Sequence, residues 1–184
     1  MTHIEREIKI KLLSPSLDTL LEKFKSKYTF IGEEKQRDIY YNSPIRDFRI
    51  SDEALRIRQT NDKVELTYKG PKLSSQSKSR IEINVEISSL EDMDTILQKL
   101  GFKKVMELEK RRWNFKVDSY TVSLDSVKDL GEFIEIEGID VDERKLLDFV
   151  NKFLEENEIK GEPTIKSYLE LMVDKIEKAN SNSN

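Results

Sequence analysis

The 184-residue chain contains no cysteine and a single histidine, His3. The absence of cysteine excludes disulfide bonds, thiolate chemistry and zinc sites built on cysteine. The sequence has no apolar run of about 18 residues and no charged-then-apolar segment at its N-terminus. We therefore expect a soluble cytoplasmic protein that does not enter a membrane. His3 lies at the start of a predicted strand and is assigned no catalytic role.

The chain also lacks an excess of charge of one sign. Charged residues make up 37% of the sequence, yet 32 basic and 36 acidic side chains leave a net charge of −4. This balance does not indicate a basic surface for nucleic acid, so function must depend on local placement of the charges. The length predicts one domain, residues 1–180, followed by a disordered Ser/Asn tail, residues 181–184.

Charged and apolar residues alternate along most of the predicted strands. In the first strand Glu5, Glu7 and Lys9 share one face, because successive side chains of a strand point to opposite sides. Two carboxylates about 4 Å apart repel each other by roughly 4 kcal/mol at an effective dielectric constant near 20. That cost is tolerable if the face is solvated, or if a divalent cation lies between the carboxylates.

About eight such strands are predicted, mostly joined by short turns, which favours antiparallel pairing. They lie near residues 4–12, 38–40, 55–58, 64–69, 80–87, 110–117, 121–125 and 133–137. Four helices are also predicted. The first begins at Ser14 and Pro15, the second follows Ser88 or Ser89, the third spans about Asp142 to Glu156, and the fourth begins near Pro163.

Two interpretations fit the charged strand faces. The commoner arrangement is an antiparallel sheet with one face on helices and the other in water. The alternative is a barrel, in which about eight strands close around a charged interior and helices cover the apolar outer faces. Acids dominate the strands of Glu5 and Glu135, and bases those of Arg56 and Arg112, whereas a merely soluble face mixes both signs. The sorting of charges therefore favours the barrel over the open sheet.

A site with acids on some strands and bases on others suits phosphoryl chemistry. Carboxylate oxygens without histidine or cysteine select Mg²⁺ or Mn²⁺. Arginine and lysine neutralise phosphate oxygens, and arginine can do so with two parallel hydrogen bonds. Several bases around one ligand indicate several phosphates, which points to a triphosphate or a longer chain.

Several motifs then occur in a fixed order along the chain. A Glu-x-Glu-x-Lys strand is formed by Glu5, Glu7 and Lys9, and the later segments are Leu55–Arg58, Thr67–Gly70, Arg80–Glu82, Lys110-x-Arg112, Leu124-Asp125, Leu130–Glu137 and Ser167-Tyr168. This ordered set resembles the CYTH superfamily, or triphosphate tunnel metalloenzymes. That superfamily includes class IV adenylate cyclases, thiamine triphosphatases and inorganic triphosphatases.

The resemblance implies an α+β fold in which an eight-stranded antiparallel β-barrel forms a tunnel. The tunnel would bind a small-molecule triphosphate with two Mg²⁺ or Mn²⁺ ions, one orienting the phosphates and one activating the nucleophile. The implied metal ligands are Glu5, Glu7, Glu82, Asp125, Glu135 and Glu137. The implied triphosphate-binding residues are Lys9, Arg56, Arg58, Lys69, Arg80, Lys110, Arg112 and, from the last helix, Lys166. Glu5, Glu7, Lys9 and Glu82 are the implied catalytic residues. Dimers are common in the family, so the resemblance also allows a homodimer.

Three functions remain open on the sequence. The leading one is metal-dependent hydrolysis of a phosphoanhydride bond in inorganic or organic triphosphate. The second is an adenylate cyclase, in which the 3′-hydroxyl of ATP attacks the α-phosphorus and pyrophosphate leaves. The absence of an obvious adenine-reading motif favours hydrolysis. The third is a polyphosphate-binding module without catalysis, but phosphate binding alone does not require six carboxylates.

Overall fold

A computed structural model of the protein describes residues 3–73 and 78–182, without the side chains of residues 3–5, 78 and 79. The strands are β1 (His3–Ser14), β2 (Thr29–Asn42), β3 (Ala54–Gln59), β4 (Val64–Lys69), β5 (Lys78–Ile87), β6 (Lys103–Val117), β7 (Tyr120–Val127), β8 (Gly131–Ile139) and β9 (Lys160–Thr164). The helices are α1 (Leu17–Lys27), α2 (Leu90–Lys99), α3 (Glu143–Glu156) and α4 (Tyr168–Ser181).

The strands pair in the order β5-β4-β3-β2-β6-β7-β8-β1-β9, with every pair antiparallel. The N-terminal half of β1 also pairs with β5, where Glu5 lies opposite Arg80. This additional pairing joins β5, at one end of the series, to β1, so β1 to β8 form a ring and β9 lies beside β1. The predicted α+β fold with an eight-stranded antiparallel barrel is confirmed.

Helices cover the outside of the barrel because that is where the apolar strand faces lie. One core cluster packs Leu20 and Phe24 of α1 and Leu146 of α3 against outer-face residues such as Ile10 and Ile134. A second packs α2 against β2 and β3. Among the described residues, none of the helices is both long enough and apolar enough to cross a membrane.

The last helix occupies a different position. Tyr168 and Met172 of α4 pack with Tyr40, Leu108 and Phe133. These three residues stand on the same strand faces as the charged residues two positions away, Asp38, Lys110 and Glu135. Helix α4 therefore packs against the inner wall at one end of the barrel.

Two predicted helix starts were wrong. Helix α1 begins at Leu17 with Ser16 as its N-cap, so Ser14 and Pro15 precede the helix. Pro163 belongs to β9, a strand that the sequence analysis missed, and α4 begins only at Tyr168. Pro163 is tolerated there because β9 pairs with β1 alone, and an edge strand can lack a backbone N–H donor. Helix α4 extends to Ser181, one residue into the predicted tail, and residues 183 and 184 lie outside the described residues.

Candidate active site

The barrel encloses a cavity of about 670 Å³. Most of the residues that the sequence predicts for the site line this cavity: Glu7, Lys9, Arg56, Arg58, Lys69, Arg80, Glu82, Lys110, Arg112, Glu135, Glu137 and Lys166. Acids and bases from separate strands are thus brought into one space. The backbone of Glu5 pairs with Arg80 in the β1–β5 ladder, but the side chain of Glu5 lies outside the described residues.

Three carboxylates converge from the adjacent strands β1 and β8. The register places Glu7 opposite Glu137, and the carboxylate oxygens of Glu7, Glu135 and Glu137 lie within 4.8 Å of one another. Burial, and then the charges of Glu135 and Glu7, raise the pKa of Glu137 to about 7. A divalent cation among these oxygens would offset the repulsion, and a donor set of oxygen atoms alone suits Mg²⁺ or Mn²⁺. The residues present therefore fit the metal that the family resemblance implies.

Lys9 lies directly beside this carboxylate group. Its Nζ donates to Glu135 at 2.8 Å and to Glu7 at 3.3 Å. Burial alone would lower the pKa of Lys9, but the charges of Glu135 and Glu7 outweigh burial and raise that pKa above its usual value. Lys9 is therefore a buried and firmly charged ammonium group on the cavity wall.

Asp125 occupies a different place from Glu7, Glu135 and Glu137. Its two oxygens accept hydrogen bonds from Arg112 Nε at 2.7 Å and Arg112 Nη2 at 2.6 Å. The second oxygen also accepts a bond from the Tyr168 hydroxyl at 2.6 Å. Burial would raise the pKa of Asp125, but Arg112 and Lys110 outweigh burial and lower it. In this arrangement Asp125 orients Arg112 and lies outside the group of three carboxylates.

Glu82 is likewise separate from that group. It is the direct cross-strand neighbour of Lys69, and the two side chains form an ion pair on the cavity wall. Of the five predicted metal ligands whose side chains the structure describes, it therefore brings together Glu7, Glu135 and Glu137. It pairs Asp125 and Glu82 with bases instead.

The bases include two guanidinium groups with unused donors. Arg56 and Arg80 are 8% and 4% exposed, and the buried Nε of each has no hydrogen-bond partner among the described residues. A buried N–H group without an acceptor is costly, and such groups are rare in native proteins. Because both side chains line the cavity, these orphaned donors point to an anionic ligand that would accept from them.

Asp38 organises a further pair of bases and was missed in the sequence analysis. It accepts hydrogen bonds from Arg58 Nε at 2.6 Å and Nη2 at 2.7 Å, and Arg56 Nη1 lies 3.6 Å away. Burial would raise the pKa of Asp38, but Arg58 and Arg56 hold it well below its usual value. The sequence offered one signal that Asp38 faces the interior of the barrel: it lies two positions from Tyr40 on β2, so the two side chains share a face.

Lys110 and Lys166 occupy contrasting environments. Burial, together with the charges of Arg112 and Arg58, lowers the pKa of Lys110 to about 7. Lys166 is half exposed at the edge of the cavity and forms an ion pair with Asp174 of α4. The predicted phosphate-binding bases therefore range from fully desolvated groups on the wall to one solvated group at the rim.

Tyr168 is the second residue whose part in the site the sequence did not reveal. The Ser167-Tyr168 pair was recognised as a motif, but it received no role. In the structure the Tyr168 ring lies beneath Lys9 and Lys110, with its centroid 4.3 and 4.8 Å from the two Nζ atoms. A pattern of apolar residues along a helix cannot show that the first residue of that helix reaches a charged wall.

The chain is similar to one protein by sequence and to another by both sequence and structure. A protein of Methanocaldococcus jannaschii that carries the provisional name of an adenylate cyclase is 42% identical over 173 residues, covering 91% of this chain and 98% of that protein. The PH1819 protein of Pyrococcus horikoshii OT3 superposes with a TM-score of 0.81 at 38% identity, covering 93% of this chain and 99% of the other.

A more distant neighbour shows the same fold. It is a Hippeastrum protein, named provisionally as an adenylyl cyclase and described as having a dominant triphosphatase activity, with a TM-score of 0.70 at 21% identity. The alignment covers 91% of this chain and 93% of that one. The CYTH domain family itself matches residues 3–170, which span the barrel, its outer helices and the start of α4. The chain therefore belongs to the CYTH family.

Proposed function

We propose that the protein hydrolyses a phosphoanhydride bond of inorganic triphosphate or an organic triphosphate, with the help of a divalent cation. One observation carries this proposal: a single cavity holds both a convergent carboxylate group and several buried bases. The carboxylates suit a hard cation, and the bases suit the oxygens of a polyphosphate. Phosphate binding alone does not require three carboxylates that lie close enough to repel one another.

The basic residues would bind and align the phosphate chain. Arg56 and Arg80 each supply an Nε–H donor that no described residue accepts, and Lys9 supplies an ammonium group next to Glu7 and Glu135. Arg112 is held by Asp125 and also donates to Glu135 at 2.8 Å, so its position is fixed before a ligand arrives. Such pre-positioned charges stabilise the charge that develops as a water oxygen attacks phosphorus and the anhydride P–O bond breaks.

The carboxylates Glu7, Glu135 and Glu137 would hold a divalent cation. When bound, Mg²⁺ or Mn²⁺ supplies Lewis-acid charge to phosphate oxygens and to the attacking water. We propose two ions for the complete site, with Glu5 and Glu82 as further ligands. The carboxylates themselves stay ionised most readily when the cation is present, because their mutual repulsion is then neutralised.

Adenylate cyclase activity is the second candidate. It is favoured by the provisional name of the Methanocaldococcus jannaschii relative, which is 42% identical to this chain. The same charges would serve both reactions, since each displaces a group from phosphorus. The two differ in the nucleophile, which is water for hydrolysis and the ribose 3′-hydroxyl for cyclisation.

A product assay distinguishes these candidates. The protein is incubated with tripolyphosphate or with ATP, each with Mg²⁺ or Mn²⁺, and orthophosphate, pyrophosphate and cyclic AMP are measured. We expect orthophosphate from tripolyphosphate and no cyclic AMP from ATP. Cyclic AMP as the main product would replace the hydrolase proposal with the cyclase.

Matched variants test the site itself. Glu7→Gln should abolish metal-dependent turnover, whereas Glu109→Gln should not, because Glu109 is exposed and pairs with Lys128 on the outer surface. Tight triphosphate binding without turnover, with any metal, would indicate a binding module. Cytoplasmic location, a homodimer, and the absence of nucleic-acid or membrane partners stay predictions from the sequence.

A further inference from the structure

Tyr168 makes contacts that a residue of an apolar cluster does not need. Its hydroxyl donates to Asp125 at 2.6 Å, while Lys9 and Lys110 lie over its ring at 4.3 and 4.8 Å. The tyrosine is 6% exposed, and both lysines are also buried. The attraction between an ammonium group and an aromatic face is strongest when both are removed from water.

The start of α4 fixes this ring in place. Ser167 caps the helix through a reciprocal arrangement, in which its Oγ accepts from the Glu170 backbone N–H and the Glu170 carboxylate accepts from the Ser167 backbone N–H. A capping box of this kind defines the first turn of a helix. The ring of Phe133 packs edge-on against Tyr168 at 5.1 Å, so the ring orientation is supported from the barrel as well.

The two lysines need such support. Lys9 is drawn toward Glu135 and Glu7, and Lys110 Nζ lies 3.7 Å from Asp125. A carboxylate attracts an ammonium group by accepting its N–H hydrogen bonds. An aromatic face attracts the same ammonium group electrostatically and does not accept those hydrogen bonds in this way. The ring of Tyr168 can therefore hold both ammonium groups at the cavity while donors remain for a phosphate oxygen.

We propose that Tyr168 is a positioning residue for the phosphate-binding lysines Lys9 and Lys110, so that docking of α4 completes the triphosphate site. This inference rests on the proposed function, because it concerns how that same site binds its substrate. It assigns α4 a part in ligand binding through Tyr168, in addition to its packing at the end of the barrel. The competing explanation is that Tyr168 only fills the apolar cluster.

Three variants separate these explanations. Tyr168→Leu removes the aromatic face, and Tyr168→Phe keeps the face but removes the hydroxyl bonded to Asp125. Met172→Leu is the matched control, because Met172 belongs to the same helix and cluster and is similarly buried, at 8% exposed. Each full-length variant is titrated with tripolyphosphate in a chelating buffer by calorimetry, and its thermal midpoint is recorded. The hydrolysis rate and KM are then measured with Mg²⁺.

We expect Tyr168→Leu to weaken metal-free tripolyphosphate binding roughly tenfold, while Met172→Leu and Tyr168→Phe bind within about threefold of the wild type. KM should rise with the binding loss in Tyr168→Leu. Equal binding by Tyr168→Leu and Met172→Leu would overturn the positioning role, and so would an equal loss in Tyr168→Phe and Tyr168→Leu. If the wild type neither binds tripolyphosphate in the chelating buffer nor hydrolyses it with Mg²⁺, the proposed function is overturned and this inference with it. If the wild type hydrolyses tripolyphosphate with Mg²⁺ but does not bind it in the chelating buffer, only this inference is overturned.

Discussion

Arg112 and Asp125 face each other across β6 and β7 and are joined by two hydrogen bonds, of 2.7 and 2.6 Å. Asp125 is 0% exposed, and Arg112 is 8% exposed. A buried pair of this geometry satisfies both charges, whereas removal of one partner leaves the other charge desolvated and uncompensated. The pair therefore contributes to the stability of the barrel as well as to the shape of the site.

Asp125→Asn should lower the free energy of unfolding by about 3–5 kcal/mol. Arg112 would keep only Glu135 as a charged partner, and Lys110 would lose the carboxylate that lies 3.7 Å from its Nζ. Urea denaturation of the metal-free protein measures this change. Asp174→Asn is the control, since Asp174 pairs with the half-exposed Lys166 and should cost less than about 1 kcal/mol. An equal decrease in the free energy of unfolding in the two variants would show that the buried pair contributes no more to stability than the exposed pair.

Glu137 should make the metal-free protein less stable as the pH rises from about 4.5 to 7. Its pKa is about 7 in the folded protein and lies near 4.5 in an unfolded chain, so the folded state binds the proton more tightly. The cost of ionising Glu137 is thus fully present above pH 7 and disappears as the pH falls through this window. Between pH 4.5 and 7 the ionisation of Glu137 should lower the free energy of unfolding by about 1–3 kcal/mol, and Glu137→Gln should remove this decrease. Urea denaturation in a chelating buffer measures it.

The difference between wild type and Glu137→Gln isolates this carboxyl from other titrating groups. Lys110 has a pKa lowered to about 7, so its own contribution falls mainly above pH 7. A wild type and a variant with parallel pH profiles below pH 7 would contradict the repulsion assigned to Glu7, Glu135 and Glu137.

Mg²⁺ or Mn²⁺ should stabilise the folded protein through the same three carboxylates. At one hundred times its dissociation constant, a ligand adds about 2.7 kcal/mol, which raises the melting temperature of a chain of this size by roughly 5–10 °C. Differential scanning fluorimetry with and without the cation measures the shift. Glu7→Gln should lose most of it, and Glu109→Gln should retain it. An equal shift in both variants would place the cation elsewhere.

Arg56→Ala should weaken triphosphate binding roughly 10- to 100-fold, which is the range expected for a lost charged hydrogen bond. Arg111→Ala is the matched control, because Arg111 lies on the outer face of the barrel and pairs with the exposed Glu33. The cation-induced stabilisation should survive in both variants, since neither residue belongs to the carboxylate group. Unchanged binding in Arg56→Ala would mean that its orphaned donor serves no ligand.

The strand pattern made much of this barrel predictable. Alternation is local, so the inner-face positions of Glu7, Lys9, Arg56 and Arg112 could be read directly from the sequence. The partners of these charges could not be read in the same way, because they depend on register. Asp38 meets Arg58 only because the β2–β3 ladder places the two residues directly opposite each other.

The missed strand has a similar cause. Pro163 followed by apolar residues fits the start of a helix. The residues around Pro163 do not show that β1 offers an edge with which this segment can pair. In the structure Pro163 lies opposite Ile10 on that edge, and the true helix start is the capping box at Ser167. The local sequence allows either a helix start or a strand at Pro163, and pairing with β1 selects the strand.

The carboxylate group has a consequence for how the protein folds. Glu7 meets Glu137 across the β1–β8 ladder, and β1 also closes the ring by pairing with β5. Both contacts join segments far apart in sequence, and such contacts form slowly because a long loop must first be ordered. We expect hairpins such as β6–β7 to form early and β1 to join late. The metal site would then exist only in chains that have finished folding. Incomplete barrels would lack the full set of carboxylates and would not bind the cation in its native site.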